Sequence, residues 1–320
     1  MKESEIRPKA LLQEYLRLAE IDSRQLDVTK FVKIACPACF SDNCQLHITK
    51  NNYKYDLCHD CGTLFCNPRP DGEVLDRFYD SAESSKFWSN EFFPHVAEPR
   101  REKLFKPKAN RIFNIFSEKG FFPRNICDVG SGYGIFLEEL KKNFEKAELY
   151  GIEPSPEMAK ISNEKGIITL NASAESSAEW SHRFDLVISS EVIEHVFSPE
   201  QFVISIHRLV KSGGYALLTG LGYEGFDILT LQERSNSIFP PHHINFLSIE
   251  GFEKLFKKVG FSEVEIITPG ELDIDIVLGS GLVTEFTRLI SKRGDKTIAE
   301  FQDFLRRNKL SSHTWVIAKL

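Results

Sequence analysis

The sequence lacks several features that mark particular classes of protein. It contains no run of about 18 consecutive apolar residues, the length that a membrane-spanning helix requires, and its start, MKESEIRPKA, has no apolar signal core. A surplus of basic residues is also missing, because the formal net charge is -6. That weakens a nucleic-acid substrate without excluding one, since binding to phosphate backbones depends on positive charge. We expect a cytoplasmic protein without a transmembrane segment.

Repeats and low-complexity tracts are absent too, so the 320 residues, 42% of them apolar, are expected to form one large domain with a small satellite. After residue 124, strand-like and helix-like segments alternate, which predicts a mainly parallel sheet with helices on both faces. We divide the chain into an N-terminal helix at 1–30, a cysteine-rich module at 31–70, a helical connector or lid at 71–122 with one long helix over Glu98–Lys119, and an α/β domain at 123–320 with a helical insertion at about 271–310.

The segment NICDVGSGYG at 125–134 is an apolar strand that ends in glycines and opens a helix. Glycines let the backbone turn tightly and approach a ligand, and a helix N-terminus offers free N–H groups. Gly130, Gly132 and Gly134 form the spacing GxGxG and not the GxGxxG of dinucleotide enzymes. A nicotinamide cofactor is therefore disfavoured.

Two carboxylates accompany this turn. Asp128 comes immediately before the glycines, where it would repel a pyrophosphate but suits the cationic amino-acid end of a sulfonium cofactor. Glu153 ends the next strand, 19 residues after Gly134, and a carboxylate in that place commonly accepts hydrogen bonds from a ribose diol. The ordered combination, more than the glycines alone, points to a nucleoside-containing cofactor.

Four segments resemble class I S-adenosylmethionine-dependent methyltransferases: DVGSGYG at 128–134, GIEPS at 151–155, FDLVISSEVIEHV at 184–196 and LVKSGG at 209–214. They resemble the branch that also contains the ubiquinone-pathway O-methyltransferases, over about residues 123 to 265. The resemblance implies a Rossmann-like α/β fold with a mainly parallel seven-stranded sheet and an antiparallel last strand. It also implies cofactor contacts from the methionine portion to Asp128, Gly130, Ser131, Gly132 and Gly134, from the ribose to Glu153, from the adenine to Asn171 and Ala172, and from the methyl group to Ser190 and Glu191.

Six of the seven cysteines lie within 31 residues, and four of them form two CxxC pairs, Cys36–Cys39 and Cys58–Cys61, separated by 18 residues. This spacing is typical of a structural zinc ribbon in which four thiolates close the site, so the metal is expected to have no catalytic role. Cys44 and Cys66 are left over as reduced thiols. Cys127 lies in an apolar strand and is a poor candidate for a nucleophile.

The segment CHDCGTLFCNPRP at 58–70 also resembles the zinc-bearing N-terminal module of bacterial methyltransferases of sugar and cell-surface glycan pathways. In the related sugar C-methyltransferases, a Glu-His pair occupies the segment that matches His242–His243, with the histidine as the proposed base. His243 would correspond to that base, while His242 replaces the glutamate. This departure leaves O-methylation as well as C-methylation open.

Candidate catalytic groups are therefore His243, as base or acceptor-orienting group, its neighbour His242, and His195, which follows Glu194 beyond the fourth strand. A structural role for His195 is the simpler interpretation. His313 opens the last strand and could reach the site from the side, and Tyr133 and Tyr223 could line a pocket.

Three functions stay open at this point. The first is methyl transfer to a small-molecule or carbohydrate acceptor, such as a nucleotide-linked or lipid-linked sugar or a surface glycan. The second is methylation of RNA, with the zinc module in recognition, and the third is a non-catalytic binding protein on the same fold. The sequence does not indicate the oligomeric state.

Overall fold

The computed structural model describes residues 2–282 and 284–320 and centres on a seven-stranded sheet with the strand order β10-β11-β8-β7-β4-β5-β6. All of its neighbouring strands run parallel except at β11, which is antiparallel to both β8 and β10. The predicted α/β class and the antiparallel last strand are confirmed. The strands are β4 (Asn125–Val129), β5 (Glu148–Ile152), β6 (Ile168–Leu170), β7 (Phe184–Ser190), β8 (Val210–Leu221), β10 (Glu263–Ile267) and β11 (His313–Lys319).

Helices cover both faces of this sheet and extend beyond its edge. None of the helices in the described part of the chain combines the length and the apolar composition that crossing a bilayer requires. The helices are α1 (Lys9–Gln25), α2 (Gly72–Ser81), α3 (Glu83–Phe87), α4 (Phe93–Arg100), α5 (Lys106–Glu118), α6 (Ile135–Asn143), α7 (Pro156–Glu164), α8 (Pro199–Leu209), α9 (Phe226–Leu231), α10 (Ile249–Val259), α11 (Asp273–Gly279), α12 (Glu285–Arg293) and α13 (Asp295–Arg307).

The core lies on the two faces of the central strands, as the alternation of side chains along β7 shows. Leu186 and Ile188 belong to an apolar cluster that includes Phe116 from α5, whereas Val187 belongs to the cluster that includes Phe202 from α8. Successive side chains of a strand point to opposite faces, so a strand covered on both sides reads as a continuous apolar run. This explains why the segment LVIS could be recognised as a buried strand.

A second, four-stranded sheet joins the cysteine-rich module to the larger domain, and the sequence did not predict it. It has the order β1-β2-β3-β9, with β1 (Cys44–Lys50), β2 (Tyr53–Cys58) and β3 (Leu64–Cys66) from the module and β9 (Asn245–Phe246) from the α/β part. A two-residue strand has no periodicity to detect. The division of the chain at residues 30, 70 and 122 stays a prediction.

The expected helix over Glu98–Lys119 is part of a longer helical segment that runs from α3 to α5. Two π-helical turns, Trp88–Phe92 and Arg101–Phe105, connect α3 to α4 and α4 to α5. Each π turn ends two residues before a proline, the first before Pro94 and the second before Pro107. Proline has no N–H to donate to the preceding turn, so a local change to i→i+5 bonding keeps the neighbouring carbonyl groups paired.

The insertion between β10 and β11 consists of α11, α12 and α13, as predicted for residues 271 to 310, and a buried pair of aspartates anchors it. Asp273 accepts hydrogen bonds from the Ser312 N–H (2.8 Å), the Ser311 hydroxyl (2.6 Å) and Gln302 Nε2 (2.6 Å). Asp227 of α9 is fully buried beside it, and neither of its carboxyl oxygens has a hydrogen-bond partner within the described residues. Since Asp273 is already surrounded by donors, Asp227 is the carboxyl that keeps its proton.

This pair predicts a pH-dependent stability that an asparagine removes. Burial and the neighbouring Asp273 raise the pKa of Asp227 from 3.8 to about 8. The native state therefore holds this proton more tightly than the unfolded state, and its contribution to the free energy of unfolding is lost as the pH rises from about 4 to about 8. Asp227→Asn is expected to be nearly neutral at pH 5 and to stabilise the protein at pH 8 by at least about 2 kcal/mol, measured by denaturant unfolding.

The exposed Asp295→Asn provides the control, since its carboxyl lies at the surface. A difference in the free energy of unfolding between Asp227→Asn and the wild type that stays constant from pH 5 to pH 8 would contradict a protonated, buried Asp227.

Candidate functional site

The glycine turn lies between the carboxyl end of β4 and the N-terminus of α6. Gly130, Gly132 and Gly134 have φ angles of +80°, +52° and +74°, a region that favours glycine. A Cβ at Gly130 would lie 2.6 Å from the Val192 side chain, so close packing excludes one there. A Cβ at Gly132 would meet nothing within 4 Å, so this side of the turn is open to a ligand.

The carboxylate of Glu153, directly after β5, is hydrogen-bonded to the backbone of the glycine turn. Its oxygens accept hydrogen bonds from the Gly132 N–H (2.8 Å) and the Ser155 N–H (2.9 Å). Burial raises the pKa of Glu153, and the two backbone donors act against that rise. Asn171 donates its side-chain amide to the carbonyl oxygens of Glu153 and Pro154, so this predicted adenine neighbour braces the loop, with Ala172 next to it. A carboxylate has about four acceptor positions, so Glu153 keeps capacity for a diol.

Several polar atoms around the turn have no hydrogen-bond partner within residues 2–282 and 284–320. They are Asp128 Oδ1, Ser131 Oγ and Ser190 Oγ, all buried. Burial raises the pKa of Asp128 to about 8, although Lys108 acts to lower it. Unpartnered buried polar atoms are rare in proteins, and a cationic ligand group beside Asp128 would restore its ionised form. This donor and acceptor set fits the amino-acid end of S-adenosylmethionine.

Glu191, at the carboxyl end of β7, is held by groups from three other elements. It accepts a hydrogen bond from the Thr219 hydroxyl (2.6 Å), and it lies 3.8 Å from Lys108 Nζ and 3.5 Å from His313 Nδ1. Burial alone would raise its pKa, but His313, Lys108 and Thr219 together lower it to about 2. Its φ of +57° is unusual for a non-glycine residue, and such backbone strain concentrates at functional sites.

Glu194, three residues further along in the turn that follows β7, differs from Glu191 in its surroundings. It is 1% exposed, and Oε2 has no hydrogen-bond partner among the described residues. Burial and the nearby charge of Glu191 raise its pKa well above the ordinary value. Glu191 is therefore the ionised and Glu194 the protonated carboxyl of the EVIEH segment at neutral pH.

The structure brings His195 and His243 together, with ring centroids 4.7 Å apart. His243 Nδ1–H donates to the Ser237 carbonyl oxygen (2.7 Å), which fixes the tautomer and leaves Nε2 as an acceptor. Burial lowers the pKa of His243 well below 6.5, so the ring is neutral. His195 Nδ1 is hydrogen-bonded to the Tyr79 hydroxyl at 2.9 Å, and burial lowers its pKa to about 4.

His242 occupies a different environment from its neighbour. It is 2% exposed, and its Nε2 is hydrogen-bonded to the Ser84 hydroxyl at 2.9 Å. Aromatic rings from Tyr15, Phe78 and Phe239 surround it at centroid distances of 4.9 to 5.6 Å. These contacts give His242 the surroundings of a packing residue.

Two groups of side chains have the geometry of metal ligands. The first comprises Cys36, Cys39, Cys58 and Cys61, whose sulfur atoms lie within 4.8 Å of one another, with 3.6 Å between Cys36 and Cys61 and 3.5 Å between Cys39 and Cys58. Two thiolates on a tetrahedral zinc, with bonds of about 2.3 Å, lie roughly 3.8 Å apart, so this quartet fits zinc. The second group is Glu194, His195 and His243, which offer ligand atoms within the same 4.8 Å limit.

The cysteine-rich module is connected to the histidine loop by direct hydrogen bonds. Tyr55 of β2 donates to the His243 carbonyl oxygen (2.7 Å), and the Cys66 N–H donates to the Ile244 carbonyl oxygen (2.8 Å). The fully buried Arg69 donates to the side chain of Asn245 (2.8 Å). The module thus forms part of the wall that holds the loop, which its sequence alone did not reveal.

The helical segment from α3 to α5 covers the glycine turn. The Tyr133 hydroxyl, within the turn, donates to the Ser89 carbonyl oxygen (3.0 Å), and its ring stacks on Phe93 at 5.3 Å. These contacts place Tyr133 between the glycine turn and the covering segment, whereas Tyr223 faces the cysteine-rich module, where its hydroxyl is hydrogen-bonded to His47 at 2.7 Å.

Sequence reasoning missed Lys108, Thr219 and Tyr79. Lys108 donates to Thr219 (3.2 Å), and its side chain is only 11% exposed. These residues come from a connector helix, a buried strand and a short helix without a motif. The only indication in the sequence was that Lys108 lies on the apolar side of its helix.

Comparison with known proteins agrees with this geometry. The Vibrio cholerae serotype O1 ubiquinone biosynthesis O-methyltransferase is 29% identical over 161 residues, which cover 47% of this chain and 60% of that protein. The Proteus mirabilis protein of the same name is 30% identical over 159 residues, with the same coverage. The chain therefore matches less than two thirds of the length of these relatives.

Two solved structures of plantazolicin methyltransferases, both complexes with SAH, share the fold. BpumL superposes with a TM-score of 0.51 at 15% identity and covers 77% of this chain and 94% of that one. BamL gives 0.50 at 18% identity and covers 76% and 94%. A family profile described as a methyltransferase domain matches residues 96–266, more than half of the chain. The chain therefore belongs to this methyltransferase domain family and has the class I fold of S-adenosylmethionine-dependent methyltransferases.

Proposed function

We propose that this chain transfers a methyl group from S-adenosylmethionine to a hydroxyl group of a small-molecule acceptor. The observation that carries the proposal is the open glycine turn at Gly132, with Glu153 beneath it and an unpartnered Asp128 beside it. When bound, the cofactor supplies a methyl group on a sulfonium centre, which is already activated for displacement. The remaining tasks, binding, alignment and proton removal, belong to the protein.

Cofactor binding is assigned to the residues around the turn. Gly130, Ser131, Gly132 and Gly134 would receive the methionine portion, and the raised pKa of Asp128 would fall once the cofactor's ammonium group lies beside it. Lys108 has the position and charge to pair with the carboxylate of the same cofactor. Glu153 would bind the ribose, and Asn171 and Ala172 would border the adenine.

Acceptor activation is assigned to His243. Its Nε2 carries a lone pair, because Nδ1–H is committed to Ser237, and its lowered pKa keeps that lone pair free at neutral pH. The hydroxyl proton of the acceptor would pass to this nitrogen as the oxygen–carbon bond forms and the methyl–sulfur bond breaks. His195 lies against the ring and would orient it, and His242 would support the loop. Glu191 would lie beside the methyl group and help to hold that part of the site in place.

The class of acceptor is proposed more broadly than the reaction. The curated relatives are named as ubiquinone O-methyltransferases, which favours oxygen over carbon as the methylated atom. As a more specific acceptor we propose a nucleotide-linked or lipid-linked sugar, or a surface glycan, because the cysteine-rich module resembles that of methyltransferases from sugar and glycan pathways. Labelled-methyl transfer to a panel of phenolic, sugar and RNA acceptors distinguishes these classes.

Replacement of Glu153 tests the cofactor site directly. Glu153→Gln keeps the size of the side chain but supplies only one oxygen for the two backbone donors and the diol. The loss of one charge-assisted hydrogen bond weakens binding by about 2 kcal/mol, so S-adenosylhomocysteine should bind about 30-fold less tightly in isothermal titration calorimetry.

The matched control is Glu157→Gln in α7, an exposed glutamate near the same loop. Equal affinities of both variants for S-adenosylhomocysteine would show that Glu153 does not contribute to the cofactor site. A wild-type protein that shows neither heat of binding nor a thermal shift with this ligand would favour the non-catalytic alternative.

A further inference from the structure

Arg100, the last residue of α4, has two buried guanidinium nitrogen atoms without a hydrogen-bond partner. Its Nε and Nη1 atoms are inaccessible, and no described residue accepts a hydrogen bond from them. Its Cζ lies 5.6 Å from the ring centre of Trp88 and 5.9 Å from that of Phe105. These cation–π contacts stabilise the charge but supply no acceptor for the N–H groups, which lie in the plane of the guanidinium.

The next residue shows that the fold satisfies an arginine where the role is structural. Arg101 donates to Glu139 at 2.7 Å and to Glu138 at 2.5 Å, and so fastens the covering segment to α6. Arg100, one position earlier, points to a different side of the helix and has no such acceptor. Leaving buried donors unpaired costs about 1–3 kcal/mol, or more for a charged group, which a bound acceptor would recover.

Aromatic contacts place Arg100 on the same side of the molecule as the histidine loop. Trp88, on which Arg100 stacks, contacts Tyr15 at 5.2 Å, and Tyr15 contacts Phe239 at 5.5 Å. Phe239 in turn lies 4.4 Å from the His243 ring. Three aromatic side chains therefore link Arg100 to the histidine loop, and Glu191 lies near enough to act on the pKa of its guanidinium.

Other cations gather in the same region. Arg7, near the start of the described chain, lies close enough to Arg100 to lower its pKa, and it also acts on His243 and Glu191. Lys108 lies 3.8 Å from Glu191. Arg7 is paired with Glu3 at 3.4 Å and Lys108 with Glu191, so among these three cations Arg100 is the one that has no carboxylate partner within the described residues.

The proposed cofactor brings no partner for Arg100, because its ammonium group would lie beside Asp128 and its carboxylate beside Lys108. Its sulfonium and ammonium groups are positive and its carboxylate is negative, so it adds one net positive charge. Buried charge of one sign is strongly unfavourable unless a partner compensates it. The acceptor is the remaining component that could bring a negative group.

We propose that Arg100, assisted by Arg7, binds an anionic group of the methyl acceptor, either a carboxylate or a phosphate. This inference rests on the proposed function, because it takes the region beside His243 as the acceptor site. A guanidinium can donate several N–H hydrogen bonds to the oxygen atoms of either anion. Acceptors that carry such a group would be recognised, and neutral analogues with the same hydroxyl would bind weakly.

Direct binding of simple anions tests the proposal. Benzoate and inorganic pyrophosphate are titrated at constant ionic strength into the full chain, with and without saturating S-adenosylhomocysteine, and the dissociation constants are measured by calorimetry. The variants are Arg100→Gln, Arg100→Lys, and Arg77→Gln as control, since Arg77 is exposed on α2. The melting temperature of each variant verifies that it is folded.

The expected result is saturable binding of one probe by the wild type and by Arg77→Gln, at least tenfold weaker binding by Arg100→Gln, and partial recovery with Arg100→Lys. Preference for benzoate identifies a carboxylate, and preference for pyrophosphate a phosphate. The affinity for S-adenosylhomocysteine should change less than threefold. With an acceptor in hand, Arg100→Gln should raise KM at least tenfold and change kcat much less.

Failure to bind either probe, or equal binding by Arg100→Gln and the wild type, would overturn the anion site. Failure of the wild type to bind S-adenosylhomocysteine is a separate result, which overturns the proposed function and with it the acceptor role of Arg100. The two failures are distinguishable because the anion titrations are also run without that ligand.

Discussion

Replacing Cys58 and Cys61 together by serine is expected to remove the metal, to lower the free energy of unfolding by at least about 4 kcal/mol, and to reduce kcat more than tenfold. The four thiolates have the spacing of a tetrahedral zinc site, and structural zinc commonly contributes folding energy to small modules. The wild-type protein should contain one equivalent of zinc by elemental analysis.

The effect on kcat follows from the connection between the module and the histidine loop. Strand β3 pairs with β9, which begins two residues after His243, and Tyr55 holds the His243 carbonyl group. Loosening the module should therefore displace the proposed base, while the glycine turn between β4 and α6 keeps its shape. The affinity for S-adenosylhomocysteine should change less than threefold.

Cys44→Ser is the matched control, because Cys44 lies in the same module outside the quartet. Amide hydrogen exchange gives a readout that does not depend on activity, since the Cys66 N–H and the Ile244 N–H should exchange faster in the double variant and not in the control. Full zinc occupancy of the double variant, or unchanged exchange in the loop, would refute the connection.

Replacing His243 by glutamine is expected to lower kcat by about 10²- to 10⁴-fold, the usual contribution of a general base. Glutamine retains a hydrogen-bonding side chain but has no basic nitrogen. Because burial lowers the pKa of His243 well below 6.5, the base is deprotonated throughout the neutral range. The wild-type rate should therefore stay level as the pH falls through 6.5 and decline only at more acidic values.

His242→Gln separates catalysis from support of the loop. His242 packs among aromatic rings and is hydrogen-bonded to Ser84, so its loss should lower the melting temperature and change kcat less than tenfold. Equal losses of kcat in the two variants would argue against a base at His243. Recovery of activity by added divalent cations after chelation would instead make His243 a ligand, together with Glu194 and His195.

The fold was largely predictable because its signals are local. The strand Asn125–Val129 and the helix Ile249–Val259 have clear periodicity and end at glycines, and their bounds in the structure agree with the sequence pattern. The strand β9 was not predictable, because its two residues gain their conformation only by pairing with β3. Local pattern carries no information about such a partner.

The candidate site was predictable to a lesser extent. Asp128, the glycines and Glu153 lie where the motif placed them, because a parallel sheet brings the carboxyl ends of β4 and β5 together. The protonation states of Glu191 and Glu194 could not be predicted from the sequence. His313 and Lys108 lower the pKa of Glu191, whereas burial raises that of Glu194. Lys108 and Arg100 lie more than 20 residues before the glycine turn, and neither belongs to a recognisable motif.

By itself, the sequence determined the α/β fold, the methyltransferase family, the glycine turn and the cysteine quartet, since each of these depends on residue spacing within a short segment. Only the tertiary structure decided which histidine is free to act, how the cysteine module holds that histidine's loop, and why Arg100 lacks an acceptor. These properties depend on burial and on contacts that only folding brings about, such as that of Tyr55 with His243, and a free energy of desolvation exists only once the chain has folded around the group.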